Sequence, residues 1–300
     1  MSLRASSWSQ ANTFAHGQFS AAGLAREKRD AVSVCLPARN EAQTIGPILE
    51  ALTPLREAGL IDQLVVVDDS TDGTDLIARR HGAEVHRQRD LLPEFGPVLG
   101  KGDAMWRALT VLRGEVICFL DADSEDFGAH YAVGLLGPLL TPRPGRPPID
   151  FVKGFYRRPF RVGEVTLPDG GGRVTELTAR PLLHLFYPEL AGFRQPLAGE
   201  IAARRELLER LPFATGYGVD IGLLLDVATE IGLEAMAQVD LDVRQNRHQA
   251  LPQLGPMADA VLATVAARLH REGRLHGLVA PPTADRTLER PPLGELRAAA

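Results

Sequence analysis

Two cysteines, Cys35 and Cys118, are all that 300 residues contain. Neither has a partner at metal-ligand spacing, so a disulfide scaffold and a cysteine-held zinc site are both excluded. The two thiols read as small apolar residues inside buried strands. Long apolar runs are equally scarce, and no stretch approaches the roughly 18 uninterrupted residues of a membrane span. The N-terminus lacks the basic-then-apolar order of a signal peptide, which makes the cytoplasm the expected compartment. Basic charge is in no excess. With a net charge of -5 and scattered lysine and arginine, the chain has no electrostatic footprint for duplex nucleic acid or an anionic membrane, which leaves a small-molecule partner. The loop after the first strand has no Gly-x-Gly-x-x-Gly, and no glycine-rich loop ends in Lys-Ser or Lys-Thr. These absences argue against a dinucleotide wrapped over a glycine turn and against a P-loop triphosphate site.

What is present is 45% hydrophobic and 24% charged content, the balance of an ordinary globular chain with a substantial core. Residues 1–30 show no sustained period and read as an arm packed on the body. Val32 to Pro37 reads as a strand entering the polar loop Ala38-Arg39-Asn40-Glu41, followed by Ile45, Ile48, Leu49, Leu52 and Leu55 at helical spacing. Leu64 to Val67 is a second strand that stops at Asp68-Asp69-Ser70-Thr71-Asp72, from which a helix runs to Gly82. A weak strand at Glu84 to His86 precedes a proline-punctuated loop, and Gly100-Lys101-Gly102-Asp103 opens a helix with Met105, Ala108, Leu109 and Leu112 inward. This rhythm predicts a doubly wound, mostly parallel α/β sheet over roughly the first 125 residues. The second half is less regular. It predicts a strand at Phe151 to Tyr156, a glycine loop at Leu167 to Gly172, and helices at Val174 to Phe186 (kinked at Pro181), Ala202 to Leu211, Gly218 to Ile231 and Pro256 to His270. Residues from 280 onward mix proline with both charge signs and read as a loosely held tail.

Chemistry concentrates where strands stop. Val116 to Leu120 is apolar on both faces, as a central covered strand should be, and it ends at Asp121 and Asp123. Ligands of open α/β sheets bind beyond the carboxyl ends of the strands, and a carboxylate pair there suits a hard divalent cation held against a diphosphate. A parallel sheet brings three such ends to one edge: Pro37 to Glu41, Asp68 to Asp72, and Asp121 to Asp123. Together they describe a nucleotide-sugar site. Lys101 stands at the wrong helix end for a cation, which favours a role in holding phosphate. Gly170 to Gly172, opening a helix at Arg173, supplies free N–H groups and a guanidinium, with the Thr175 hydroxyl close by; that is an anion site.

The runs Leu36-Pro37-Ala38-Arg39-Asn40-Glu41, Val67-Asp68-Asp69-Ser70-Thr71-Asp72-Gly73-Thr74, Gly100-Lys101-Gly102-Asp103 and Phe119-Leu120-Asp121-Ala122-Asp123 occur in the order seen in GT-A glycosyltransferases. The fold implied is the GT-A form of α/β, a Rossmann-like, mostly parallel sheet with an α+β acceptor-binding half. More narrowly, Phe155-Tyr156-Arg157-Arg158-Pro159, Gly170-Gly171-Gly172-Arg173-Val174-Thr175-Glu176-Leu177 and Tyr217-Gly218-Val219-Asp220 resemble the actinobacterial glucosyl-3-phosphoglycerate synthases, and the likeness extends from Val32 to Leu254. It implies transfer of glucose from UDP-glucose to the 2-hydroxyl of 3-phosphoglycerate with retention; related enzymes move mannose from GDP-mannose to the same acceptor. Carried onto this chain, the resemblance puts Pro37, Ala38, Arg39, Glu41, Asp69 and Lys101 around the nucleotide, with Asp121 and Ala122 on its ribose side. Asp123 becomes the ligand of a magnesium or manganese ion. Gly171, Gly172, Arg173, Thr175, Tyr217 and Arg244 fall at the acceptor, and Asp220 near the transferred sugar. Asp123, Lys101 and Asp220 are then the catalytic group, and the family suggests a homodimer.

The implied organisation is an arm (1–30), a nucleotide-sugar-binding half (31–150), an acceptor-binding half (151–280) and a tail (281–300). One departure concerns the metal. The family places a histidine two residues after the position of Arg244, whereas this chain has Asn246 there and His248 beyond it; His248 is the expected second ligand. No Ser, Cys or Asp has a recognisable base partner, which favours front-face attack without an enzyme nucleophile. Two rival readings are a sugar nucleotidyltransferase and a binding protein with a decayed site. The first needs a glycine-rich basic loop where Pro-Ala-Arg-Asn-Glu stands, and the second is opposed by the presence of Lys101, Asp121 and Asp123 together.

Overall fold

The computed structural model describes residues 3–162, 165–167, 171–244, 250–275 and 289–299. In chain order its strands are β1 (Thr13–Ala15), β2 (Val32–Ala38), β3 (Gln63–Asp68), β4 (Glu84–Arg87), β5 (Val116–Phe119), β6 (Phe151–Arg157), β7 (Phe160–Val162), β8 (Val165–Leu167), β9 (Ile201–Arg204), β10 (Phe213–Ala214), β11 (Met236–Val243) and β12 (Glu289–Arg290). Eight of them form one sheet in the order β1-β11-β6-β9-β5-β2-β3-β4. Every neighbouring pair is parallel except the two that β9 makes with β5 and β6. This is the GT-A form of α/β.

The period-two alternation of β5 explains its central place. Ile117 and Phe119 belong to one apolar core with Met105, Trp106 and Leu109, while Val116, Cys118 and Leu120 belong to the other with Ile48, Leu52 and Leu135. Both faces are therefore covered by helices, the arrangement that a continuous apolar strand requires. Cys35 and Cys118 are fully buried on opposite faces, and burial pushes both thiols far above their ordinary pKa.

Three expectations need correction. The expected helix from Ala202 begins as strand β9, and only Arg205–Glu209 is helical. Alanine is a strong helix former, but propensity yields to tertiary context, and a slot between β5 and β6 that needs a ladder partner overrides it. The expected kink at Pro181 is a π turn over Thr175–Ala179, followed by an α-helix at Arg180–Phe186. Proline has no N–H to continue the ladder, and the widened turn absorbs the mismatch. Residues 289–299 are not loosely held: Arg290 and Leu293 are buried, β12 pairs with β10, and a helix follows at Leu293–Ala299. In the N-terminal segment, buried Trp8 donates from Nε1 to the Met236 carbonyl at 3.1 Å, and β1 extends the sheet beside β11.

Candidate active site

Strand polarity assembles the site. β5, β6 and β11 stop at one edge of the sheet, and the antiparallel β9 starts at that same edge. Asp121 and Asp123, Tyr156 and Arg158, Arg244, and the pair Gly199-Glu200 are thereby gathered. The end of β11 adds a bulge: its register shifts between Asp240 and Val243, and Asp242 takes a φ of 74°. Such a bulge re-aims the residue that follows, here Arg244, which is left buried.

The Arg244 guanidinium lies 3.1 Å from Asp121 Oδ2 and 2.6 Å from Asp123 Oδ1, and it also bonds Glu200 Oε1. The Tyr156 hydroxyl donates to Glu200 Oε2 at 3.0 Å and accepts from Arg244 at 2.9 Å and from Arg158 at 2.6 Å. Lys101 Nζ stands 2.7 Å from Asp121 Oδ1 and 3.6 Å from Asp220 Oδ2. Nearby, the buried Lys153 donates to the Ala198 carbonyl at 2.7 Å. Burial opposes the charge on Asp121, but Lys101 and Arg244 outweigh it and hold this carboxyl well below the usual range. Burial likewise works against the Lys101 ammonium, and Asp121 and Asp220 overcome it. For Asp220 burial wins and its pKa rises; for Lys153 burial lowers the pKa to about 8.

Lys101, Asp121, Asp123, Arg158, Asp220 and Arg244 line one cavity of about 230 Å³ together with Gly171, Gly172, Arg173, Thr175 and Tyr217. Leu197, Leu254, Met257 and Val261 make its apolar part. The glycine turn has no room for alternatives: Gly172 adopts a φ of 71°, and a Cβ on Gly171 would strike Arg158, whose carbonyl accepts the Gly171 N–H at 3.0 Å.

Pro37, Ala38, Arg39, Glu41 and Asp69 do not line this cavity. They lie along the adjoining ends of β2 and β3, where Asp69 N–H bonds the Ala38 carbonyl at 3.1 Å and Arg39 Nε stands 3.9 Å from Asp69. Thr44 joins the two regions by donating to the Ala122 carbonyl at 2.6 Å. His248 and Asn246, like Gly170, fall outside the described residues.

Among the described residues no three His, Cys, Asp or Glu side chains converge as a complete metal cage. The donor set that fits a hard cation is the Asp121-Asp123 pair, because magnesium and manganese sites are commonly completed by substrate phosphate and water. Of the two, Asp123 is the one turned to solvent, with its side chain 52% exposed against 21% for Asp121.

Four residues escaped the sequence reading. Glu200 and Lys153 are buried charges, Arg158 had no assigned role, and Gly199 lies where a Cβ would overlap Lys101 Nζ and the Asp121 carboxylate, so that this pair would have to shift. A signal for two of them existed. Gly199-Glu200 is an isolated glycine-acid step in the apolar run Leu197 to Ala203.

A mostly parallel sheet with an Asp-Ala-Asp pair at the end of a central strand, a lysine at a helix start paired with it, and a glycine-arginine turn lining the same cavity defines a GT-A glycosyltransferase, a hexose-transferring enzyme. Residues 33–133 match the family described as Glycosyl transferase family 2. The chain belongs, more narrowly, to the glucosyl-3-phosphoglycerate synthase family. It is 48% identical over 238 residues to the glucosyl-3-phosphoglycerate synthase of Mycolicibacterium smegmatis, covering 79% of this chain and 77% of that one. Against the synthase of Petrotoga mobilis the identity is 44% over 254 residues, with 83% and 77% covered. Among solved structures, mannosyl-3-phosphoglycerate synthase from Rubrobacter xylanophilus superposes with a TM-score of 0.88 at 48% identity over 97% of this chain and 98% of that one. Glucosyl-3-phosphoglycerate synthase from Mycobacterium tuberculosis, in complex with Mn2+, UDP-glucose and phosphoglyceric acid, superposes with a TM-score of 0.78 at 40% identity over 95% and 99%. The same enzyme is also known with Mg2+ and UDP.

Proposed function

We propose that this chain transfers glucose from UDP-glucose to the 2-hydroxyl of 3-phosphoglycerate with retention at the anomeric carbon. The observation that carries the reading is the meeting, in one cavity, of the Asp121-Asp123-Lys101 cluster with the Gly171-Gly172-Arg173-Thr175 turn. One half suits a nucleotide diphosphate and the other a small phosphorylated acid.

In this reading Asp123, with His248 as the expected second ligand, would hold a magnesium or manganese ion, which would supply charge neutralisation at the diphosphate. Pro37, Ala38, Arg39, Glu41 and Asp69 border the nucleotide, and Asp121 and Ala122 its ribose. Lys101 is kept charged by Asp121 and Asp220, which fits it to meet the leaving phosphate as the glycosidic bond breaks. Asp121 is engaged by Lys101 and Arg244, and Asp220 is buried against Lys101, so neither is presented as a covalent nucleophile. Front-face attack follows, in which a leaving phosphate oxygen accepts the proton of the acceptor hydroxyl and positioning supplies much of the rate.

A second reading, mannosyl transfer from GDP-mannose, is favoured by the TM-score of 0.88 to the Rubrobacter enzyme. A donor panel of UDP-glucose, GDP-glucose and GDP-mannose with 3-phosphoglycerate tests both. Release of UDP with formation of glucosyl-3-phosphoglycerate is expected; turnover confined to GDP-mannose replaces the first reading with the second, and no turnover with any donor removes both.

A further inference from the structure

We propose that Arg158 grips the carboxylate of the acceptor and that Tyr156, itself held by Glu200, is the residue that positions it; this rests on the acceptor reading above. The cavity contains three arginines, and their surroundings differ. Arg244 already faces three carboxylates, so a further anion there would have to compete with Asp121, Asp123 and Glu200. Arg173 sits on the Gly171-Gly172 turn beside Thr175, a setting of backbone N–H groups, a hydroxyl and a guanidinium that suits phosphate.

Arg158 is the one that makes no ion pair with a carboxylate among the described residues. Its side-chain bonding partner among the described residues is the Tyr156 hydroxyl at 2.6 Å, and its Nε, like that of Arg244, is buried without a hydrogen-bond partner. A buried donor lacking an acceptor beside a cavity marks a place for a ligand atom. The geometry around it is fixed from two sides. The Tyr156 hydroxyl has one proton, which goes to Glu200, so its lone pairs are left to receive Arg158 and Arg244. The Arg158 guanidinium also lies over the Tyr156 ring at 4.8 Å. On the backbone side, the Arg158 carbonyl binds the Gly171 N–H at 3.0 Å, which sets the spacing between this guanidinium and the phosphate turn.

The acceptor supplies the matching chemistry. Its attacking hydroxyl is on the carbon that bears the carboxylate, so a forked bond to that carboxylate fixes the nucleophile one bond away, while the turn holds the phosphate at the other end.

Calorimetry with 3-phosphoglycerate, glycerate and glycerol 3-phosphate tests this directly, since the second lacks the phosphate and the third the carboxylate. Arg158→Ala should weaken 3-phosphoglycerate and glycerate by about 10- to 100-fold, the loss expected of a charge-assisted fork, and leave glycerol 3-phosphate and UDP binding unchanged. Tyr156→Phe should show the same pattern more weakly. Arg158→Lys, which keeps the charge and loses the fork, should fall between and serves as well if the alanine variant does not fold. An equal loss for glycerol 3-phosphate would reassign Arg158 to the phosphate and overturn the proposal, as would unchanged binding of all three. A wild-type protein that binds 3-phosphoglycerate no better than glycerol 3-phosphate would also end it. If wild type binds neither compound, the acceptor reading itself falls.

Discussion

A single methyl group at Gly199 would occupy the place of the Lys101-Asp121 ion pair. Gly199→Ala is therefore expected to reduce transfer by about 100-fold or more through displaced charge, with kcat falling further than the thermal midpoint; full activity would show that the pair can shift freely. Asp123→Ala removes a half-exposed carboxylate, so the fold should persist while transfer and manganese binding are lost. Near-normal turnover would sink Asp123 as the metal residue. Lys153 yields a pH test. Its pKa is lowered from 10.5 to about 8 by burial, so between those values the unfolded chain carries a proton that the folded chain has released. Stability from this group therefore rises with pH across that window, by up to roughly 3 kcal/mol, and is flat below it. Urea unfolding of wild type and Lys153→Met at pH 7 and pH 10 should show the wild type gaining on the variant; the opposite slope would contradict the burial argument.

Elements differed in how far the chain text revealed them. β5 was readable because five apolar residues in a row, capped by acids, admit few other interpretations. β9 was not: Ile201-Ala202-Ala203-Arg204 has no strand signature, and its conformation comes from β5 and β6 on either side. Misreading it hid Glu200, which a helix start would have sent to solvent and a strand start sends into the site. β12 is an extreme case, two residues placed by tertiary contacts. Arg290 Nε meets the buried Asp103 at 2.7 Å and Nη1 meets the Phe95 carbonyl at 2.7 Å, while Trp106 Nε1 donates to the Pro291 carbonyl at 2.8 Å. Arg290→Ala should cost about 3 kcal/mol in urea unfolding. That is the low end for breaking a buried pair, because Arg107 stays 3.1 Å from the same carboxylate. A loss within experimental error would mean that the C-terminal segment is held by something other than this ion cluster.

Over the whole molecule the sign of the charge changes with distance from the cavity. The chain carries -5 overall, and both proposed substrates are anions, so the long-range field opposes their approach. Near the cavity the balance reverses, with Lys101, Lys153, Arg158, Arg173 and Arg244 against Asp121, Asp123, Glu200 and Asp220. The residues that carry that reversal were only partly visible in the chain text: Lys101 and Arg173 stood in recognisable motifs, whereas the charges around Arg244 depend on Glu200 and on a bulge that no local pattern announces. Salt separates the two distance ranges. Between about 0.01 M and 0.1 M the screening length shrinks from about 30 Å to about 10 Å, which removes the remote repulsion while contacts inside the cavity persist. Above that range the contact pairs themselves weaken. With metal concentration fixed, kcat/KM for the acceptor should therefore rise and then fall as sodium chloride increases. A steady fall from the lowest salt would show that the cavity field already governs approach at long range and that the net charge of the chain has no part in it.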